Sequence, residues 1–144
     1  MEVLKDQLTD HFRLREFANN EDGGGVLLTP PFLEFVRMLE VFRVCYNRPI
    51  NITSGYRTKD FNKKIGGVSN SLHLKQLAID FSLPAEFYKF SKERQDQFLE
   101  NVKSKWYQIC DDNNIPGSVL FYDRWVHIDV RANKRYFEDK RGMK

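Results

Sequence analysis

Apolar positions along this chain fall into two periods. Between Thr29 and Asn47 they recur at helical spacing: Phe32, Phe35, Val36, Leu39, Phe42 and Tyr46 share one face. Thr29 is placed to cap that helix, Pro30 and Pro31 suit its first turn, and an end is expected near Asn47, before Pro49. A second helix is expected over residues 92–112, capped by Ser91, with Phe98, Leu99, Val102, Trp106, Ile109 and Cys110 on its apolar side. Other stretches alternate with period two. In 77–82, Leu77, Ile79 and Phe81 point one way and Ala78, Asp80 and Ser82 the other. In 125–131, Val126, Ile128 and Val130 oppose Trp125, His127 and Asp129. Residues 49–53 and 118–122 read as further strands, and Asp123-Arg124 as the tight connection of a hairpin between 118–122 and 125–131. Thr58 is placed to cap a short helix over Lys59–Lys64. Residues 4–18 have only loosely helical spacing, and Asn19–Gly25, with three glycines, reads as a connecting loop.

The period-two stretches carry the candidate chemistry. A carboxylate within an apolar strand, as at Asp80, is costly to bury unless a positive group meets it. Pairing its strand with 125–131 would bring His73, Asp80 and His127 together. Two imidazoles and one carboxylate form a ligand set that zinc accepts with a position left open to water, the pattern of catalytic sites. Arg57 follows the turn Ser54-Gly55-Tyr56 at a strand-to-helix junction, where a guanidinium can polarise a carbonyl or fix the turn by a salt bridge. His11, far from the other two histidines, reads as a surface or packing residue. Gly66-Gly67 and the serines after it lack the Lys-Ser/Thr ending of a phosphate loop.

Composition narrows the classes. With 144 residues and 41% apolar side chains, 1–144 is expected to form one domain without staples. Two cysteines, Cys45 and Cys110, support neither a disulfide framework nor a cysteine zinc site and read as buried thiols. No run is long enough to span a membrane, and the N-terminus lacks the layout of a secretion signal, so synthesis in the cytoplasm is expected. The net charge of +3 is concentrated in 131–144, which carries six basic residues against two acids. Such an end can attract a polyanion, but it is more often a solvated terminus, and no nucleic-acid partner is expected.

Taken together, these residues resemble the zinc D-Ala-D-Ala carboxypeptidase family of peptidoglycan peptidases, in the lysostaphin, carboxypeptidase and hedgehog group. The family pattern is a Ser-Gly-Tyr-Arg-Ser turn, an Asn, a Gly-Gly pair, S-x-H-x-x-G-x-A-x-D, and a later His-x-Asp or His-x-His on a strand. Here it is matched by Ser54, Gly55, Tyr56, Arg57, Thr58, Asn62, Gly66, Gly67, Ser71, His73, Ala78, Asp80, His127 and Asp129. His11–Phe17 resembles the N-terminal segment of the small phage-type branch. The resemblance implies an α+β fold whose small antiparallel sheet bears a zinc site flanked by helices. It implies His73, Asp80 and His127 as zinc ligands, Arg57 as the residue stabilising the scissile carbonyl, and Ser71 and Tyr56 as substrate-binding residues. The implied activity is hydrolysis of an amide bond in peptidoglycan stem peptides or cross-links by a monomeric, endolysin-like enzyme. It would reach the wall by holin-type release or as part of a virion.

Two positions depart from the pattern. Gln76 stands where the family has Gly. Arg124 stands three residues before the last histidine, where many relatives carry an acid, and an arginine cannot accept a proton. Asp123, at the hairpin turn, is the expected general base, ahead of Asp129, which is placed to orient His127. Arg124 also favours a second reading, a zinc-bearing binding module of the same fold without turnover. A third reading packs both histidines in a metal-free core.

Overall fold

A computed structural model describes residues 6–18 and 25–142. Residues 19–24, most of the expected glycine-rich loop, lie outside them. The long helices follow the apolar spacing: α1 spans Pro30–Tyr46 and α3 spans Lys92–Asp112, with the short α2 at Lys59–Lys64. Each begins where a hydroxyl caps it. Thr29, Thr58 and Ser91 accept hydrogen bonds from the backbone N–H of Phe32, Phe61 and Arg94, satisfying donors that the first turn leaves free. Asn47 ends α1 in a left-handed conformation, φ 55°.

Five strands form one sheet: β1 (Ile52–Ser54), β2 (Ala78–Ser82), β3 (Gly117–Phe121), β4 (Trp125–Val130) and β5 (Tyr136–Asp139), in spatial order β1-β2-β4-β3-β5. Four strands are antiparallel to their neighbours, but β5 runs parallel to β3, so the sheet is mixed rather than wholly antiparallel. This strand is hidden in the sequence because its four residues are flanked by charge and largely exposed, as suits an edge. The N-terminal segment, loosely helical in its spacing, has little regular structure. Its helical structure is a single 3-10 turn at Leu14–Phe17, anchored by buried Phe12 and Phe17.

The core lies between one sheet face and the two long helices. Ile79, Phe81, Val119, Val126 and Ile128 project from that face and are buried. Trp106 of α3 meets Phe35 and Phe42 of α1 edge-on, each at 6.0 Å between ring centroids, and Phe42 continues the contact to Phe81. Burying aromatic side chains of this size contributes roughly 1.5–3 kcal/mol each. Cys110 is buried here, but Cys45 is exposed: it lies beside, not within, the apolar stripe of α1. Among the described residues no helix is long and apolar enough to cross a membrane.

The opposite sheet face is the one that matters for function. Because β2, β4 and β3 are aligned in register, Asp80, His127 and Leu120 form one row across the strands, and Ala78, Asp129 and Ser118 the next. The alternation that drives hydrophobic residues into the core thus drives Asp80, His127 and Asp129 out of its other side.

Candidate metal centre

Asp80 and His127 are direct cross-strand partners in the β2–β4 ladder. His73 reaches the same place from a 3-10 turn, Leu72–Lys75, that immediately precedes β2. Ser71 caps this turn by accepting from the His73 backbone N–H at 3.2 Å. The three side chains converge: His127 Nδ1 stands 2.8 Å and His73 Nε2 3.3 Å from the same oxygen, Asp80 Oδ1. One ligand atom from each lies within 4.8 Å of the others, a spacing that suits a single ion.

The far side of each imidazole is held. His73 Nδ1 lies 2.7 Å from the Gly55 carbonyl oxygen, which can only accept, so Nδ1 carries the proton and Nε2 presents its lone pair to the cluster. A Cβ at Gly55 would sit 2.7 Å from the Phe17 carbonyl oxygen, so only glycine lets the chain pass close enough to hold this histidine. His127 Nε2 lies 2.7 Å from Asp129 Oδ2, which turns Nδ1 toward Asp80. Asp129 is fully buried and receives further bonds from Ser118 at 2.5 Å and Arg131 at 2.8 Å. Outer partners of this kind fix ring orientation and tautomer in metal sites.

Charge is concentrated here. Burial opposes ionisation of Asp80, yet the hydrogen bond from His127 outweighs it and holds the carboxyl well below its usual range. Burial likewise disfavours the His127 imidazolium, but Asp129 and Asp80 dominate and lift it to about 9. Asp129 is held down to about 2 against its own burial by His127 and Arg131. Without a cation, then, a proton on His127 supplies the positive charge that two buried carboxylates require. A divalent ion would do so more fully, and the donor set of two nitrogens and a carboxylate fits zinc.

Arg57 borders the cluster. Its Nη2 lies 3.5 Å from Asp80 Oδ2, its Nε donates to Ser54 Oγ at 3.1 Å and its Nη1 to Asn62 Oδ1 at 3.2 Å. Asn62 is itself buried and donates to the Val68 carbonyl. A Cβ at Gly67 would fall 2.1 Å from Asn62 Oδ1, so Gly67 makes room for the side chain that holds Arg57. Arg57, Ser71, His73, Asp80, His127 and Asp129 all line one open cleft of about 740 Å³.

Other expected site residues lie elsewhere. Asp123 does not line this cleft; its carboxylate accepts from the Gly142 backbone N–H at 2.9 Å. Arg124 is exposed, with its guanidinium 5.8 Å from the Tyr88 ring centre. Tyr56 is half-buried away from the cleft, near Gly25. His11 pairs with Glu40 at the surface.

Two features were missed by sequence reasoning. Tyr122 and Trp125 stack at 4.5 Å in the cleft wall, and burial together with the Asp80 charge raises the Tyr122 phenol, keeping it a neutral donor. Their placement on either side of the hairpin turn was the available signal. Gln76 adopts φ 61°, the left-handed region where a family glycine is at ease. It offsets that strain with its amide: Oε1 accepts from Leu27 N–H at 2.8 Å and Nε2 donates to Leu27 O at 2.7 Å.

The comparison with protein families decides the grouping. Residues 10–129 match the family model described as Peptidase M15, a span that contains every residue of the cluster. The chain belongs to the peptidase M15 family. Membership supports a hydrolase of the metallopeptidase type, and the His73, Asp80 and His127 cluster is where an M15 peptidase built on this chain could hold its metal. A search of curated proteins finds no match.

Proposed function

We propose that this M15 peptidase is a zinc-dependent, endolysin-like enzyme that hydrolyses an amide bond in peptidoglycan stem peptides or cross-links, acting at the cell wall. The observation that carries the reading is the convergence of His73, Asp80 and His127 on one point in an open cleft, with Arg57 beside them.

His73 Nε2, one Asp80 carboxylate oxygen and His127 Nδ1 would hold the zinc. The bound ion would lower the pKa of a coordinated water and act as a Lewis acid on the scissile carbonyl. Gly55 and Asp129 hold both imidazoles in the ligating orientation, so the arriving ion would have only to displace the proton on His127 Nδ1. Arg57 is tethered by Ser54 and Asn62, which fixes its guanidinium at the cleft wall, where charge would develop on the carbonyl oxygen. Ser71 holds the turn that carries His73 and also borders the cleft, where substrate would lie.

One observation favours the second reading, a zinc-bearing binding module without turnover. Among the described residues lining the cleft, the only carboxylates are Asp80 and Asp129, and both are engaged by histidines and arginines. For Asp123 to act as the base, it would have to leave Gly142 and swing inward.

Zymography on purified cell walls separates the two. Peptidase action predicts clearing by the zinc-loaded chain and none by Asp80→Ala. Wall binding without clearing supports the binding module. Mass spectrometry of the released fragments identifies the bond.

A further inference from the structure

We propose that Trp125 and Tyr122 form a saccharide subsite in the cleft wall, on which a pyranose ring of the wall polymer stacks while its peptide lies over the metal cluster. This deepens the peptidase reading and rests on it for the identity of the polymer.

The chain has two tryptophans in opposite surroundings. Trp106 is fully buried, and its indole N–H donates to the Asp129 carbonyl at 2.9 Å. Trp125 lines the cleft and is 36% exposed. Its indole N–H has no acceptor among the described residues, yet it is not sealed from solvent. The Tyr122 hydroxyl, also in the cleft wall, is in the same position. Tyr and Trp that serve only as packing find partners for these groups, as Trp106 does. The pair is nevertheless rigid. Tyr122 N–H donates to the Trp125 carbonyl at 3.0 Å, closing the hairpin around Asp123 and Arg124, and the two rings stack with their planes 14° apart. Trp125 and His127 project from the same sheet face, two residues apart on β4, a separation of about 7 Å.

A flat, preformed indole with open donors beside it fits a sugar better than an apolar side chain. The π face of an aromatic ring is negative. C–H groups on one side of a pyranose, polarised by the ring and hydroxyl oxygens, meet that face favourably. Hydroxyl and acetamido oxygens at the edge of the sugar accept from the indole N–H and the phenol O–H. An aliphatic side chain laid on the same surface would strip water from both donors and return no hydrogen bond. The short step along β4 from Trp125 to His127 keeps a sugar on the indole within reach of a peptide held at the cluster.

Nitrogen-15 NMR of the full chain resolves the two indole N–H signals, and the first probe is a peptide-free N-acetylglucosamine tetramer. The Trp125 signal should shift saturably while that of buried Trp106 stays in place. Tyr122→Phe keeps the stacked ring and removes only the hydroxyl, and it should weaken the sugar about three- to tenfold. The second probe is a pair of stem peptides, one carrying its disaccharide and one bare, assayed for kcat/KM with the zinc-loaded chain. The saccharide-bearing peptide should be favoured about three- to tenfold, and the ratio should fall toward one in Trp125→Leu. A pair that only braces the hairpin would lower both peptides alike and leave the ratio unchanged. That unchanged ratio, or no saturable shift of the Trp125 signal, would overturn the inference. Saccharide binding at Trp125 with neither peptide cleaved would leave the subsite standing while removing the peptidase reading.

Discussion

Gln76 grips Leu27 with both ends of its side-chain amide, reproducing between a side chain and a backbone the two-bond exchange of a β-bridge. The grip ties the chain before α1 to the turn that presents His73. It explains how a residue with a Cβ occupies a left-handed position at a cost of about 1 kcal/mol. Gln76→Gly would relax the backbone but free Leu27, and Gln76→Leu would keep the strain while breaking both bonds to Leu27. Thermal unfolding should therefore show Gln76→Leu losing about 1–3 kcal/mol and Gln76→Gly clearly less. Equal losses would mean that the amide bonds contribute little.

Asp129 acts on the metal through His127. Asp129→Asn keeps the shape but can offer its NH₂ rather than an oxygen to Nε2, and it leaves Arg131 without its partner. Zinc affinity, measured by competition with a chromogenic chelator, should fall about 10- to 100-fold. Affinity within twofold of the parent would show that the histidine is oriented by the sheet alone.

Arg57 is expected to serve the reaction more than the ion. Arg57→Lys loses the fork that Ser54 and Asn62 hold while keeping a positive charge. On whichever wall fragment is cut, kcat should drop about 10²- to 10³-fold, with one equivalent of zinc retained. A variant that loses its zinc would place Arg57 among the groups that support the metal instead.

The pH dependence of the metal-free chain follows from His127, whose pKa is raised from 6.5 to about 9. A histidine raised on folding contributes stability that is complete below 6.5 and lost as pH rises through about 9. The unfolding temperature of the metal-free chain should decline across that window. Zinc must displace the same proton, so its apparent affinity should climb over the same range. A flat unfolding temperature from pH 6.5 to 9 would show that His127 is not protonated in the folded chain.

Much of this was legible in the sequence because period and chemistry coincide. The alternation in 77–82 and 125–131 placed Asp80, His127 and Asp129 on one face, and the β2–β4 register has them there. Thr58 and Ser91 marked the starts of α2 and α3 because a capping hydroxyl is a local, one-residue signal. What escaped was non-local. Strand β5 exists because Tyr136–Asp139 finds an open edge on β3, and nothing within these four largely exposed residues announces that edge. Asp123 looked available beside the hairpin, but its partner Gly142 lies nineteen residues on. Gln76 looked like a simple departure because its compensating contact, Leu27, is distant in the chain.

The most direct test is a crystal structure of the zinc-loaded chain with anomalous data collected at the zinc edge. A single strong peak is expected, about 2.0–2.2 Å from His73 Nε2, His127 Nδ1 and an Asp80 oxygen, with a further position open to the cleft. A zinc peak elsewhere, or none at this cluster in a fully loaded crystal, would contradict the account.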